Sequence, residues 1–570
     1  MNAFLLYLGL TLVVTWPLVM QADHAVLGWP GDNFEYVWKM WWVTDALGRG
    51  ASPLFDPDVY VPFGFDLAHG ELTPANTFLF LPATAALGPV WAYNLALLSS
   101  FVLSGLGTYL LVRRLTGDPQ AALVGGAVFA FCSYRMAHLP GHLPLMTTGW
   151  IPFVFFWLDR AIVERTVRAG ALAGLFYALT ALGSWYYGYA VGLAALLYLA
   201  VRTRPWRLDR GALPPALAFV LVAVILVAPF AAPYLALARQ GRLGQTLDVA
   251  NYWSASPANF LVPNPLHPLW GPLLPEGFHH ELVERMLYLG ALPTVLAVVG
   301  ALRCRERAVR AFLAVAVVFV VVALGTTLRL GGGAIYLPVP SAAADGFYGA
   351  MSWLAEHGSF YGGPYPRPPP GTVNVPMPAL ALYFWLPLFS SMRTLGRLTV
   401  LVMLAIGVLA GVGVSTLRWR GSARAVGVPL LVAATVFETL VWYGTTPVAP
   451  RAVDLWLAQA PRRVMAEFPL SQALSGPGLY YTIHHRQPVI FGYGTHILRE
   501  FRETMPTLAT FPAPAALDLL RQRDVGWVVV TPGAYGPEWP SVADGIEHVP
   551  SLRLATELDG VRVYELTSAP

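Results

Sequence analysis

Charged residues are scarce in this chain. Of its 570 residues only 12% are Asp, Glu, Lys or Arg, whereas 56% are hydrophobic. Soluble globular domains carry about 25% charged residues. The chain also has a single lysine, Lys39, and two cysteines, Cys132 and Cys304. This composition excludes an ordinary soluble enzyme, and so few cysteines give no indication of a thiol or cluster site.

Several motifs of nucleotide and acyl chemistry are also missing. The sequence contains no GxxxxGK[ST] loop, no glycine-rich dinucleotide fingerprint and no nucleophile elbow. We therefore expect neither a nucleotide cofactor nor a nucleic-acid partner.

Long apolar runs are abundant, and runs of about 20 residues indicate a polytopic α-helical membrane protein. The first run, 4–20, lacks the Lys or Arg that opens a signal peptide, so we expect it to be retained as a span. About eleven spans are predicted, near 4–20, 91–112, 119–134, 147–163, 168–184, 187–202, 213–236, 286–302, 311–328, 397–417 and 425–443.

Arginines set the predicted topology. Every second loop between the apolar runs has an arginine cluster, and the positive-inside rule assigns such loops to the cytoplasm. The clusters are Arg113–Arg114, Arg160–Arg168, Arg202–Arg210, Arg303–Arg310 and Arg418–Arg424. This topology places the N-terminus on the inner side of the cytoplasmic membrane and the C-terminus on the outer side. Cys132 and Cys304 fall on opposite faces, which excludes a disulfide between them.

The predicted outer face contains most of the polar sequence. Long outer loops cover 21–90, 237–285 and 329–396, and belong with the spans to a membrane module of residues 1–443. Residues 444–570 are of a different kind. "RRVMAEFPL", "QPVIFGYG", "VGWVVVTPGAY" and "GVRVYEL" predict short strands and "PAALDLLRQR" a helix, so this tail is predicted to be a small outer α/β domain.

The first outer loop opens with "GDNFEYVWKMWW", residues 31–42. Its aromatic residues recur at helical spacing, which predicts a helix lying flat at the membrane interface with these side chains toward lipid or other helices. Its acids have two interpretations. Asp32 can cap the helix with Glu35 completing a capping box. Alternatively, a carboxylate at the water–membrane boundary can accept a proton from a hydroxyl or bind a cation beside a phosphate.

The architecture resembles the GT-C superfamily of membrane glycosyltransferases, including relatives of the lipoteichoic-acid-glycosylating type. The resemblance rests on a first span, a long outer loop with an early Asp, and the segments "SPLFDPDVYVPFGFDLAHGE", "AHLPGHLPLMTTGWIPFVFFWLDR" and "YYTIHHRQPVIFGYGTH". It implies that Asp32 is the catalytic base and that the donor is a polyprenyl-phosphate sugar. Many members carry two adjacent acids at this position, whereas here Asn33 follows Asp32. This difference argues against a site that binds a metal through two adjacent carboxylates, and a divalent cation is left open as a cofactor.

Further candidate substrate-binding residues lie in the outer loops. Arg135 is a candidate for binding a phosphate, because a guanidinium can donate hydrogen bonds to two phosphate oxygens at once. His138 and His142 could ligate a metal, bind a phosphate or a sugar hydroxyl, or simply be polar residues of the loop. Tyr187 of "GSWYYGY" could stack on a sugar or belong to the interfacial aromatic belt. The remaining candidates are Glu35, His69, Glu71, Arg393 and Arg397, the last two for an anionic lipid or for interface snorkelling.

The leading hypothesis is inverting transfer of a sugar from a polyprenyl-phosphate donor to the hydroxyl of a lipid, glycan or protein acceptor on the outer face. A membrane transporter or lipid flippase is the alternative, but these often show internal repeats and ionisable residues at mid-membrane depth. Here Glu438 is nearly the only acid well inside a predicted span, and no halves resemble each other. A non-catalytic scaffold is the third option, and it would need no hydroxyl-activating acid.

Overall fold

The computed structural model describes residues 2–67, 71–203, 210–239, 244–276, 283–419, 422–494 and 497–567. The chain divides into two compact units. The first comprises Met1–Trp16, Leu97–Leu139 and Pro144–Tyr443, and the second comprises Pro17–Ala96, Pro140–Leu143 and Gly444–Pro570. The tail therefore shares a unit with most of the first outer loop, which the predicted boundary at 444 had placed in the membrane module. Pairing of strand Ala25–Leu27 with Thr445–Pro447 joins the two segments.

Helices dominate the first unit, and one lies at every predicted span. Its helices of ten or more residues are Ala3–Val14, the later part of Pro89–Thr116, Pro119–Ala130, Ile151–Glu164, Val167–Gly183, Trp185–Arg202, Leu213–Arg239, Ala291–Arg303, Arg307–Ala323, Ser341–His357, Thr399–Ser415 and Ala423–Glu438. Shorter helices are Ser133–His138, Leu247–Tyr252 and Pro378–Trp385, and two hairpins pair Arg329–Leu330 with Gly333–Ala334 and Tyr336–Pro338 with Thr372–Asn374.

Three of the described helical segments are long and apolar enough to cross a membrane, namely Pro89–Thr116, Arg210–Ala236 and Leu395–Ser415. The number of spans in the membrane stays a prediction. Helix Thr399–Ser415 is buried over nearly its whole length and forms the core of the first unit. Small residues allow this: a Cβ at Gly125 would lie 2.7 Å from the Gly407 carbonyl oxygen, so the two backbones are in contact.

A four-stranded sheet organises the second unit. Its strand order is Leu552–Leu558, Val561–Leu566, Val525–Val530 and Val464–Phe468. The last two strands are parallel and the other pairs antiparallel. Three of the strand predictions and the helix Pro514–Gln522 are confirmed. The predicted strand "QPVIFGYG" is wrong, because within it only Val489 makes isolated bridges, to Val59 and Met465.

The other elements of the second unit are short except for one helix, Asp32–Gly48, which we call the Asp32 helix. The rest are hairpin Phe55–Asp56 with Phe65–Asp66 and helices Pro74–Thr77, Leu81–Leu87, Ala452–Gln459, Leu470–Ala473, Gly476–His485, Arg499–Arg502, Met505–Leu508, Pro532–Tyr535 and Trp539–Glu547.

The aromatic side chains of the Asp32 helix belong to the core of the second unit. Trp38 and Trp42 are stacked at 5.9 Å and are buried in one hydrophobic cluster with sheet residues such as Val528. The Trp38 indole N–H donates to Thr482 Oγ1 at 2.9 Å. Of the two predicted surroundings, lipid or other helices, the structure shows the second for Trp38, together with a sheet that was not predicted there. These side chains pack on the sheet and on helix Gly476–His485, because burying large aromatic rings in a core is strongly favourable.

Candidate active site around Asp32

Asp32 occupies the first turn of its helix but does not cap it. Gly31 is the N-cap residue and contributes no side chain. Asn33 Oδ1 accepts hydrogen bonds from the backbone N–H groups of Gly31 and Phe34, at 2.9 and 3.0 Å. Glu35 pairs with Lys39 instead of reaching back to the N-cap. The capping-box interpretation of Asp32 and Glu35 is wrong, and both carboxylates have other partners.

Two side chains of the second unit, Tyr493 and His142, meet Asp32, and we call these three residues the Asp32 cluster. The Tyr493 hydroxyl donates a hydrogen bond to Asp32 Oδ1. His142 Nε2 lies 3.7 Å from Asp32 Oδ2. The Asp32 side chain is 34% exposed and that of His142 26%, so the carboxylate remains accessible to a substrate. Burial and the neighbouring Asp32 raise the pKa of Tyr493, so its hydroxyl keeps its proton and acts as a donor.

The start of the helix is held by backbone contacts of Asn33. Its Nδ2 donates to the carbonyl oxygens of Leu27, Trp29 and Pro140, at 3.2, 3.0 and 3.1 Å. The contact with Pro140 brings the segment that carries His142 against the helix start. Gly28 makes this approach possible: its φ is +84°, and a Cβ there would lie 2.2 Å from the Pro140 Cβ.

The tail contributes a helix as well as Tyr493. Helix Gly476–His485 lies against the first turn of the Asp32 helix, where a Cβ on Gly476 would be only 2.0 Å from the Gly31 carbonyl oxygen. Phe34 and Tyr480 meet edge to face at 5.3 Å. Two segments about 450 positions apart in sequence thus fix the position of one carboxylate.

Glu35 forms a buried ion pair on the inner side of the same helix. Its carboxylate is 2.7 Å from Lys39 Nζ, and the two side chains are 5% and 0% exposed. Lys39 Nζ also donates to the Glu71 carbonyl oxygen at 3.2 Å. Burial raises the pKa of Glu35 to about 7, against the opposing charge of Lys39. Glu35 therefore supports the helix and does not face a substrate, while Glu71 contributes its backbone; His69 lies outside the described residues.

Two other predicted binding residues are committed to internal contacts in the first unit. Arg135 is completely buried; its guanidinium donates to the Ala130 carbonyl oxygen and to Ser100 Oγ. The Tyr187 ring is also buried, and its hydroxyl donates to the Leu145 carbonyl oxygen at 2.5 Å. The predictions that Arg135 grips a phosphate and that Tyr187 stacks on a sugar are not supported, because neither side chain reaches the surface.

Two of the remaining predicted residues of the first unit, Arg397 and His138, lie next to Glu284. Arg397 forms a bidentate ion pair with Glu284 and lies over the Tyr186 ring at 5.0 Å. His138 Nε2 is 3.4 Å from the same carboxylate. Although burial opposes it, the charge of Arg397 and the His138 contact hold the pKa of Glu284 well below its usual range. Arg393, in contrast, is exposed beside the Trp253 ring and is available to an anionic group.

Two contributors were missed at the sequence level. Tyr493 lies in "QPVIFGYG", 461 residues from Asp32, and no spacing rule links positions so far apart. Glu284 lies close to the start of a predicted span, where a single acidic residue is ordinarily interpreted as part of a polar loop. Among the described residues no three His, Cys, Asp or Glu side chains form a group that could hold a metal ion. The divalent cation stays a prediction.

Solved structures share this fold. The mycobacterial arabinofuranosyltransferase AftD matches 100% of this chain over 41% of its own length, at a TM-score of 0.59 and 15% identity. The Archaeoglobus fulgidus oligosaccharyltransferase in its apo form matches 99% of this chain over 74% of its length, at a TM-score of 0.53 and 11% identity. The same enzyme tethered to an acceptor peptide gives 0.51 at 12% identity, over 99% and 73% of the two chains.

These similarities confirm the GT-C fold that the sequence resemblance predicted, and at such identities they show the fold alone. This chain spans less than half the length of the arabinofuranosyltransferase. In sequence, a family model described as "Domain of unknown function (DUF6311)" matches residues 49–348. No curated protein matches the sequence.

Proposed function

This chain belongs to the DUF6311 family, whose description names no activity, and from its GT-C fold and the Asp32 cluster we propose that it is a membrane glycosyltransferase. The proposed reaction moves a sugar from a polyprenyl-phosphate donor to an acceptor hydroxyl on the outer face of the cytoplasmic membrane. The observation that carries the proposal is a partly exposed carboxylate, Asp32, held by a tyrosine hydroxyl beside an accessible histidine.

Asp32 is proposed as the general base. The acceptor O–H proton passes to the free lone pairs of the carboxylate as the acceptor oxygen attacks the anomeric carbon. The bond from that carbon to the phosphate oxygen breaks, and the lipid phosphate leaves with the electron pair. A positioned carboxylate in such a role contributes about 10²–10⁴-fold to a rate. The attack from the face opposite the phosphate would invert the anomeric configuration.

Tyr493 and His142 are proposed to position the Asp32 carboxylate and the substrate. A hydrogen bond to Oδ1 restricts rotation of the Asp32 side chain and leaves Oδ2 to receive the proton. His142 faces Oδ2 and is placed to contact the incoming hydroxyl or the sugar. A polyprenyl-phosphate donor is supported by the membrane fold, since a lipid carrier presents its sugar at the depth where an outer loop meets the bilayer.

The hydrogen bonds of Glu438 argue against the transporter alternative. This residue ends helix Ala423–Glu438 and accepts hydrogen bonds from the Tyr288 hydroxyl at 2.6 Å and the Leu292 N–H at 3.2 Å. Its carboxylate thus caps the start of helix Ala291–Arg303, a structural task, and does not stand alone in a translocation path.

Chemical turnover distinguishes the two functions. Purified protein is incubated with a panel of synthetic polyprenyl-phosphate sugars and with glycan, lipid and peptide acceptors, and the released polyprenyl phosphate and the glycosylated product are measured by mass spectrometry. We expect stoichiometric formation of both from one donor–acceptor pair. Movement of intact lipid across a vesicle membrane, without cleavage of any donor, would instead establish a flippase.

A further inference from the structure

Helices Ala291–Arg303 and Thr399–Ser415 of the first unit run parallel and touch at two glycines. A Cβ at Gly300 would lie 2.2 Å from the Leu409 carbonyl oxygen, and one at Gly413 would lie 2.0 Å from the Leu296 carbonyl oxygen. Each glycine thus meets the turn that precedes the other, an arrangement that brings two backbones into direct contact. Because the contact is one turn from both C-terminal ends, these ends emerge side by side.

A cavity of about 750 Å³ opens where the two helices end. It is lined by Arg303, Thr416, Leu417, Arg418 and Trp419. Arg303 donates to the Thr416 carbonyl oxygen at 3.4 Å, which places its guanidinium across the end of the second helix. The Trp419 indole lies against Gly427, where a Cβ would be 2.3 Å from the ring. The pocket therefore combines two cations with an aromatic ring at the end of a predicted span.

Four arginines of the arginine-rich loops form ion pairs with carboxylates, and the two arginines of this pocket do not. Arg114 and Arg202 share Asp159, Arg160 pairs with Glu164, and Arg424 pairs with Asp118. No carboxylate among the described residues pairs with Arg303 or Arg418. The buried indole N–H of Trp419 likewise has no acceptor within the described part of the chain. Two guanidinium groups without a carboxylate partner, and an N–H donor without an acceptor, are groups that a bound anion can satisfy.

We propose that this pocket binds the phosphate headgroup of an anionic phospholipid from the cytoplasmic leaflet. The arginine topology predicts that both helices end at that leaflet, whose anionic lipids attract basic residues. Paired guanidinium groups bind phosphate oxygens, and tryptophan is enriched at the depth of the lipid headgroups, beside the acyl chains. The pocket is independent of the proposed glycosyl transfer, so it would anchor and orient the chain whatever reaction the Asp32 cluster performs.

Lipid binding to the full-length protein tests the proposal. The protein is purified in detergent and titrated with phosphatidylglycerol, with phosphatidylcholine and with inorganic phosphate, and bound lipid is counted by native mass spectrometry. The double variant Arg303→Gln with Arg418→Gln is compared with a matched control, Arg305→Gln with Arg307→Gln. The control removes two exposed arginines of the same loop that do not line the cavity.

We expect the pocket variant to bind phosphatidylglycerol about 30-fold more weakly, at about fivefold for each arginine that contacts the headgroup. The control should lose little, because its two side chains do not line the cavity. Arg418→Gln alone, at a side chain with no hydrogen bond to the described protein, should show about a fivefold loss with unchanged thermal stability. Equal losses in pocket and control variants would overturn the proposal. So would displacement of the lipid by millimolar inorganic phosphate, or equal binding of phosphatidylcholine.

Discussion

Asp32 and Glu35 lie three residues apart on one helix, and their surroundings give them opposite properties. Asp32 is partly exposed and accepts from a tyrosine hydroxyl, whereas Glu35 is buried against Lys39. A carboxylate that reaches solvent can exchange a proton with a substrate, and one enclosed with a lysine cannot. The chemistry of this segment is therefore assigned to Asp32 and its structural support to Glu35.

The hydroxyl of Tyr493 is predicted to fix the rotamer of Asp32. Tyr493→Phe removes the hydroxyl but keeps the ring, so folding should be preserved while Asp32 loses the contact that fixes its rotamer. We expect kcat to fall about 10-fold with little change in KM, because a freely rotating base is less often aligned with the acceptor. Tyr480→Phe, a neighbouring tail tyrosine in contact with Phe34, is the control and should retain activity. Equal activity of Tyr493→Phe and wild type would refute the positioning role.

The second prediction concerns the buried ion pair. Glu35→Gln and Lys39→Met should each lower the free energy of unfolding by about 3–5 kcal/mol, because each leaves one buried polar group without its partner. The double variant should lose less than the sum, since it removes both charges together. Additive losses, measured by chemical denaturation or thermal shift, would show that the two side chains do not interact.

The same pair predicts a pH dependence of stability. Burial raises the pKa of Glu35 to about 7 from its ordinary value, 4.5, so between these values the folded chain binds a proton that the unfolded chain has lost. Stability contributed by this group is present below pH 4.5 and is lost as pH rises to about 7. The thermal midpoint of wild type should therefore fall more steeply from pH 5 to 7 than that of the double variant, and parallel curves would contradict this.

At the scale of elements, the contact between the Asp32 helix and the tail helix Gly476–His485 determines where the carboxylate lies. Gly476→Ala places a methyl group 2.0 Å from the Gly31 carbonyl oxygen, so one of the helices must shift. We expect a loss of about 1–3 kcal/mol in stability, together with reduced transfer. Gly533→Ala is the control, because no atom lies within 4 Å of its Cβ position. Identical melting temperatures for the two variants would contradict the close contact.

Elements with a strong local signal were predictable from sequence, and contacts between distant segments were not. Apolar runs located a helix at every predicted span, and the short segments "VGWVVV" and "GVRVYEL", rich in valine and aromatic residues, located two strands of the sheet. The burial of Trp38 and Trp42 was missed, because their spacing indicates a helix but not what covers it. Asp32 was found from its position after the first run, whereas Tyr493 has no local signature.

At the scale of the whole molecule, the predicted topology is open to direct measurement. In a variant lacking Cys132 and Cys304, single cysteines are introduced at Ala350, Glu500 and Glu306 and treated in intact cells with a membrane-impermeant maleimide. Cysteines at 350 and 500 should be labelled from outside, and that at 306 only after the membrane is opened, because the arginine-rich loop 303–310 is predicted to be cytoplasmic. Labelling of 306 in sealed cells would invert the topology and place Asp32 inside.

The proposed sugar transfer depends on Asp32 acting as a base, and Asp32→Asn isolates that property. Asparagine keeps an oxygen that can accept from Tyr493, and because Gly31 is the N-cap residue the helix loses no cap. Asparagine cannot take up a proton from an acceptor hydroxyl. The decisive measurement is the single-turnover rate of sugar transfer by Asp32→Asn with donor binding and thermal stability recorded on the same sample. We predict a rate about 10²–10⁴-fold below wild type with unchanged donor affinity and melting temperature. Transfer at the wild-type rate would show that the base lies elsewhere.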